Sequence, residues 1–139
     1  MTASPDVASI ILQRQSEALH EAHTWLQAFM RDKSFSAKLC HDLELIIEEL
    51  LVNSLQHGFE SARGITISAW SDSSYICLEI KEHGPPFNPL DSDPPDITAD
   101  LAVRQAGGLG IHLVKQLADQ IDYHYQAGVN CLRLSKALE

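Results

Sequence analysis

The chain has 139 residues, 45% of them apolar, and sets 19 acidic against 10 basic residues for a formal charge of −9. A chain of this length makes one domain that buries about two thirds of its unfolded surface, and its apolar content argues against disorder. The acidic balance argues against nucleic acid or an anionic membrane as partner, since both rely on a positive field, while Mg²⁺-bearing acidic ligands stay open if local groups overcome the repulsion.

Val7 to Gln13 reads as a first strand, an edge by position, with Ile10 and Leu12 facing inward. Ser16 then stands as an N-cap before a helical stripe of Leu19, Ala22, Trp25, Leu26 and Phe29. Ser36 caps a long helix carrying Leu39, Leu43, Ile46, Ile47, Leu50, Leu51 and Leu55, which ends near His57 and Gly58. Ile65, Ile67 and Ala69 alternate with polar residues, Asp72-Ser73-Ser74 turns the chain, and Ile76, Leu78 and Ile80 alternate on the return: an antiparallel hairpin. Gly84-Pro85-Pro86 ends the second strand, because proline neither donates to a ladder nor tolerates a helical predecessor. Residues 87–106 form a long loop, rich in Pro and Asp at its start, with a helical turn predicted at Thr98 to Arg104; such loops are often lids or binding loops. A helix over 109–119 follows, then a last hairpin from Tyr123 to Gln126 and Asn130 to Leu134 across Ala127-Gly128.

Antiparallel hairpins with helices set apart from them imply an α+β fold, a two-layer α/β sandwich. The strand–helix alternation of a doubly wound sheet is missing. Cys40, Cys77 and Cys131 lack zinc-site spacing and read as buried free cysteines, two of them in strands. The N-terminus has no signal-peptide pattern and no run reaches the about twenty apolar residues of a membrane helix, so a cytoplasmic location is expected.

Two polar groupings carry chemistry. Glu49, Asn53 and His57 recur every four residues along one face of the long helix, the first two among leucines. Buried there, they would need a partner or a ligand: Asn53 could give Mg²⁺ an oxygen, and Glu49 could take a proton from an attacking hydroxyl. On a helix edge they would simply face water. The second grouping is Gly107, Gly108 and Gly110, where the polar segment gives way to Ile111, Leu113, Val114 and Leu117. A helix start with unpaired N–H groups behind flexible glycines can cradle phosphate, although many such starts are plain turns. His57 serves equally as a C-terminal helix residue, His112 as a packing residue, Trp25 and Phe29 as core or dimer contacts, and Arg104 as a lid residue or a phosphate clamp.

Over roughly residues 8–136 the sequence resembles the serine/threonine-kinase anti-sigma factors, within the superfamily of gyrase-, chaperone- and histidine-kinase-type ATP-binding domains. Three blocks carry the resemblance: Glu49-Leu50-Leu51-Val52-Asn53 continued to His57, Lys81-Glu82-His83-Gly84-Pro85-Pro86-Phe87, and Gly108-Leu109-Gly110-Ile111-His112-Leu113. It implies a mixed, mostly antiparallel sheet with helices on one face, and ATP held with Mg²⁺ beneath a lid. Glu49 would then be the general base and Asn53 the Mg²⁺ ligand. Glu82 would anchor adenine, where the family usually has aspartate. Around the nucleotide would stand His57, Gly84, Arg104, Gly107, Gly108, Leu109 and Gly110, with Ala106 where members often have glycine. The implied activity is phosphorylation of a serine on an anti-anti-sigma partner, with a sigma factor as a further partner and homodimers common. The alternatives are a non-catalytic binding module of the same fold, and a histidine-kinase ATPase fragment, disfavoured because no dimerisation helix pair precedes the domain.

Overall fold

The computed structural model describes residues 7–13, 17–57, 64–91 and 109–139. Strands β1 (Ala8–Leu12), β2 (Ile65–Ser71), β3 (Tyr75–His83), β4 (Gln120–Gln126) and β5 (Val129–Ala137) form one sheet in the order β1-β2-β3-β5-β4. Helices α1 (Ala18–Met30), α2 (Ala37–His57) and α3 (Leu109–Leu117) complete the two layers. Every strand pairing among the described residues is antiparallel, so the two-layer expectation holds while the sheet is antiparallel throughout rather than mixed: neighbours in it are joined by hairpins or return in opposite sense.

Alternation decides which face of the sheet the helices cover. Ile65, Ile67 and Ala69 of β2, Ile76, Leu78 and Ile80 of β3, and Leu132 and Leu134 of β5 share one core with Leu43, Ile46, Ile47, Leu50 and Leu51 of α2. Ala18, Ala22, Leu26 and Met30 turn the buried stripe of α1 to the same core, and Ile111 and Val114 do so for α3. Trp25 and Phe29 lie at its margin, stacked with ring centroids 6.4 Å apart. Helix α2 packs against both α1 and α3, which places the polar face of α2 beside the start of α3.

The local signals hold where they are described. The Ser36 hydroxyl accepts the Leu39 amide at 3.1 Å and caps α2. Asp72 Oδ1 accepts the amides of Ser74 and Tyr75 at 2.7 and 2.8 Å and closes the β2–β3 turn. The expected cap Ser16 lies outside the described residues; Glu17 holds the N-cap position of α1 without a side-chain bond. Helix α3 ends at Leu117 rather than residue 119, since Asp119 leaves the helix to pair with β5: its amide donates to Ser135 O, and its carboxylate accepts the Ala137 amide at 2.6 Å. The last hairpin is longer than alternation alone indicates, because Gln120–Asp122 and Ser135–Ala137 extend the two strands. A short 3₁₀ turn at Pro89–Asp91 opens the long loop; the turn expected at Thr98 to Arg104 lies outside the described residues.

At the end of the molecule far from Asn53, Asp42 of α2 is buried, 2.9 Å from Lys38 and 3.6 Å from Lys136. Lys136 also donates to Leu117 O at 2.7 Å, so the start of α2, the end of α3 and the end of β5 are tied together. Among the described residues, no helix is long and apolar enough to cross a membrane.

Candidate nucleotide site

Asn53 and Glu82, far apart in sequence, line one pocket. Its walls are Leu50, Asn53 and Ser54 from α2, Ile80 and Glu82 from β3, Phe87 and Pro89 from the following turn, and Tyr123, Asn130 and Leu132 from the last hairpin. The packing of α2 across the sheet produces this convergence: Ile80 and Leu132 point at the helix, and the next inward positions on their strands are Glu82 and Asn130, paired in register. The pocket is small and open on one side, with a cavity volume of about 30 Å³. Two larger open grooves lie elsewhere, one at Cys77, Asp122 and Arg133 and one at Lys38, Asp42 and Lys136, and neither includes a residue of the three sequence blocks.

Hydrogen bonds shape the pocket floor. The Ser54 hydroxyl donates to Glu82 Oε1 at 3.1 Å, joining helix to sheet. Asn130, 6% exposed, accepts the Phe87 amide at 2.8 Å and the Tyr123 hydroxyl on Oδ1, while its Nδ2 donates to Pro85 O at 2.9 Å. The Gly84 amide donates to Gly128 O at 3.1 Å, and Gly84 O accepts the Tyr125 hydroxyl at 2.8 Å. The turn Gly84–Phe87 is thus fastened to the β4–β5 hairpin, and Lys115 of α3 holds the next turn by donating to Leu90 O at 2.8 Å.

One helical turn before Asn53, Glu49 is half-buried and rests against α3. A Cβ added to Gly110 would run into the Glu49 carboxylate, so the missing side chain at Gly110 leaves the room in which that carboxylate rests against α3. Glu49 and Asn53 have no hydrogen-bond partner among the described residues. Burial, with Glu48 beside it, pushes the Glu49 carboxyl above its ordinary value, which brings a carboxylate nearer to the range of a working base.

The structure thus brings Glu49, Asn53, Glu82 and Gly110 to one region, with Gly84 in the adjoining turn. Leu109 opens α3 and His57 closes α2, and the side chains of both lie outside the described residues, as do Arg104, Gly107 and Gly108 entirely. His112 bonds to Gln116, one turn on along α3, at 3.2 Å, on the exposed side of the helix rather than in the core. No group of three or more metal-ligating side chains occurs among the described residues. Ser54, Tyr123 and Asn130 were not singled out from sequence. Asn130 could have been, since it interrupts the inward apolar alternation of β5 with an amide.

Comparison with known proteins decides the family: the profile of a histidine kinase-like ATPase domain matches residues 12–136. The chain belongs to that family. Among curated relatives, the domain is 23% identical over 136 residues to the serine-protein kinase RsbW of Listeria monocytogenes, covering 94% of this chain and 87% of the relative. It is 26% identical over 117 residues to the serine/threonine-protein kinase BtrW of Bordetella bronchiseptica, covering 83% and 82%. Two solved structures share the fold. A Mycobacterium tuberculosis chain containing RsbU and RsbW domains superposes with TM-score 0.66 at 14% identity, covering 94% of this domain and 32% of that chain. The Acinetobacter baumannii histidine kinase AdeS superposes with TM-score 0.51 at 14% identity, covering 96% and 69%. The domain therefore has a histidine kinase-like ATPase fold and relatives of the anti-sigma-factor-kinase type, which supports a regulatory, kinase-like role.

Proposed function

We propose that residues 1–139 form a single ATP- and Mg²⁺-dependent protein serine kinase domain of a partner-switching system. The observation that carries this reading is the half-buried Glu49 carboxylate, unpartnered among the described residues, packed on Gly110 at the start of α3 and one turn from Asn53 and the Glu82 pocket. Such a group is costly to keep unless it has work to do.

The residues present fit both nucleotide and cation. Asn53 has an uncommitted amide oxygen of the hard type Mg²⁺ takes, and Glu82 offers an acceptor for the adenine amino group. Bound Mg²⁺ supplies neutralisation of phosphate charge. Glu49 accepts the proton of the attacking seryl hydroxyl as the γ-phosphorus–oxygen bond forms and ADP departs. The N-terminus of α3, from Leu109 and Gly110, turns its N–H groups toward phosphate. By family resemblance His57, Gly84, Arg104, Gly107 and Gly108 complete the nucleotide's surroundings. The partner is an anti-anti-sigma-type protein, with a sigma factor as the regulated target and a homodimer as the working form. The described part of the pocket is small beside a purine base. That tightness, with Glu82 in place of aspartate, favours a second reading, a partner-binding module without phosphoryl transfer.

Titration calorimetry with ATP, with and without Mg²⁺, separates the two. The kinase reading expects Mg²⁺-strengthened ATP binding, lost selectively in Asn53→Ala, and a fall in transfer to a cognate partner by roughly 10²-fold or more in Glu49→Gln with ATP binding kept. Absence of binding at millimolar ATP, or unaltered transfer in Glu49→Gln, overturns it.

A further inference from the structure

We propose that Ser54 is a positioning residue that sets the base preference of this pocket by holding the Glu82 carboxylate in place. The inference rests on the nucleotide reading above and deepens it. Glu82 stands at an inward position at the end of β3, between Ile65 of β2 and Asn130 of β5. Its two methylenes give the carboxylate a wide sweep, and fixing such a side chain costs rotamer freedom. Asn130, its neighbour across the ladder, is committed to the turn through Phe87, Pro85 and Tyr123. Ser54 sits on the opposite wall, 7% exposed, and its hydroxyl reaches Glu82 Oε1 at 3.1 Å.

This bond has a chemical consequence. A carboxylate only accepts hydrogen bonds, so a fixed one favours a purine with an exocyclic 6-amino group over a purine with a 6-oxo group. Selectivity of that kind depends on the acceptor being held still, because a mobile carboxylate can swing away from the oxo group and lose its discrimination. Removing the Ser54 hydroxyl should therefore reduce discrimination more than it reduces purine binding as such. The effect should also depend wholly on the carboxylate it positions.

The test measures ATP and GTP affinity by calorimetry for the parent, Ser54→Ala, Ser54→Thr, Glu82→Ala and the Ser54→Ala/Glu82→Ala double variant, with thermal unfolding of each in the absence of nucleotide. Having to immobilise the freed Glu82 side chain on binding predicts roughly 2–10-fold weaker ATP binding in Ser54→Ala, with a narrower ATP-to-GTP ratio. Ser54→Thr, which keeps the hydroxyl, should retain both values. In the Glu82→Ala background Ser54→Ala should leave the ATP-to-GTP ratio unchanged. If Ser54→Ala folds poorly, Ser54→Cys keeps the volume, nearly loses the donor and should give the same narrowed ratio. An unchanged ratio, or equal losses with and without Glu82, overturns the positioning role while leaving the nucleotide site standing. A parent that binds neither nucleotide overturns both.

Discussion

Glu49 and Gly110 form a pair in which each explains the other. Burial and the neighbouring Glu48 raise the Glu49 carboxyl above its ordinary value, so its ionised form is disfavoured in the folded chain. For an acid raised on folding, the cost is present above that raised value and disappears at low pH, where the group is protonated in both states. Glu49→Gln is therefore expected to raise the unfolding temperature of the nucleotide-free chain at pH 7, with the gain vanishing near pH 3. Scanning calorimetry checks this, and a lowered temperature at pH 7 contradicts the assignment. Gly110 should reveal the same contact from the other side. Alanine in place of glycine ordinarily favours a helix, less so in the first turn where Gly110 stands, and here the new Cβ meets the Glu49 carboxylate. Gly110→Ala should consequently stabilise the parent less than it stabilises a Glu49→Ala background. Urea unfolding of the four chains measures the difference, and additive effects would show that the two residues do not meet.

At the scale of elements, the β4–β5 hairpin both completes the sheet and anchors the pocket turn. Its two-residue connection places Ala127 at φ 54° and Gly128 at φ 77°, the left-handed pair of a primed hairpin turn. Glycine accepts that conformation freely, whereas alanine pays about 1 kcal/mol or more for it. Ala127→Asn supplies the residue that such turns favour and should stabilise the domain by about 0.5–1 kcal/mol in urea unfolding. Gly128 O accepts the Gly84 amide, so the same change should slow hydrogen exchange at Gly84. Faster exchange there, or lower stability, would count against the turn described. The turn–hairpin ties of Asn130, Tyr125 and Gly128 also mean that the Phe87 wall moves only with the last two strands, or by breaking their bonds to it.

For the molecule as a whole, two buried carboxylates govern behaviour in acid. Burial alone pushes the Asp42 carboxyl up, but Lys38 and Lys136 outweigh it and hold the group below its ordinary value. Glu79, on the sheet face away from the helices, is likewise pushed up by burial yet brought below its ordinary value by Arg133 and Lys81. Arg133 donates to Glu79 at 2.8 and 2.6 Å and lies over the Trp70 ring, 5.3 Å from its centroid. For acids lowered on folding, the stabilisation is complete above the unfolded value, and it is lost as pH falls through the folded value. The domain should therefore lose stability below about pH 4. Asp42→Asn should cost about 1–2 kcal/mol at pH 7 and progressively less toward pH 2, flattening the acid limb of the stability curve. A constant difference across that range would mean that packing, rather than charge, explains the loss.

Much of this domain is legible along the chain because its signals are local. The Ser36 cap, the Asp72 turn, the alternation of Ile65–Ala69 and Ile76–Ile80 and the leucine stripe of α2 depend on neighbours within a turn or two, and each predicts its own element. The resemblance blocks likewise name Glu49, Asn53, Glu82 and Gly110 before any fold is known. Composition is silent on which side chains would meet. Ser54 reads as one more small polar residue on a helix until α2 crosses the sheet and sets it against Glu82. Asn130 reads as a strand interruption until the β3–β5 register brings it opposite Glu82 and within reach of Phe87. Of the three cysteines read as buried and free, only Cys131 is buried, Cys40 and Cys77 being partly exposed; the Cys131 thiol, pushed up to about 11 by burial and by Glu79, is shielded by side chains of the open sheet face rather than by the helix-covered core. Periodicity records which face of each element is apolar, and so determines the layers. The pairing of polar groups across layers depends on strand order, register and helix packing, which arise only when distant segments come together and which tertiary structure alone decides.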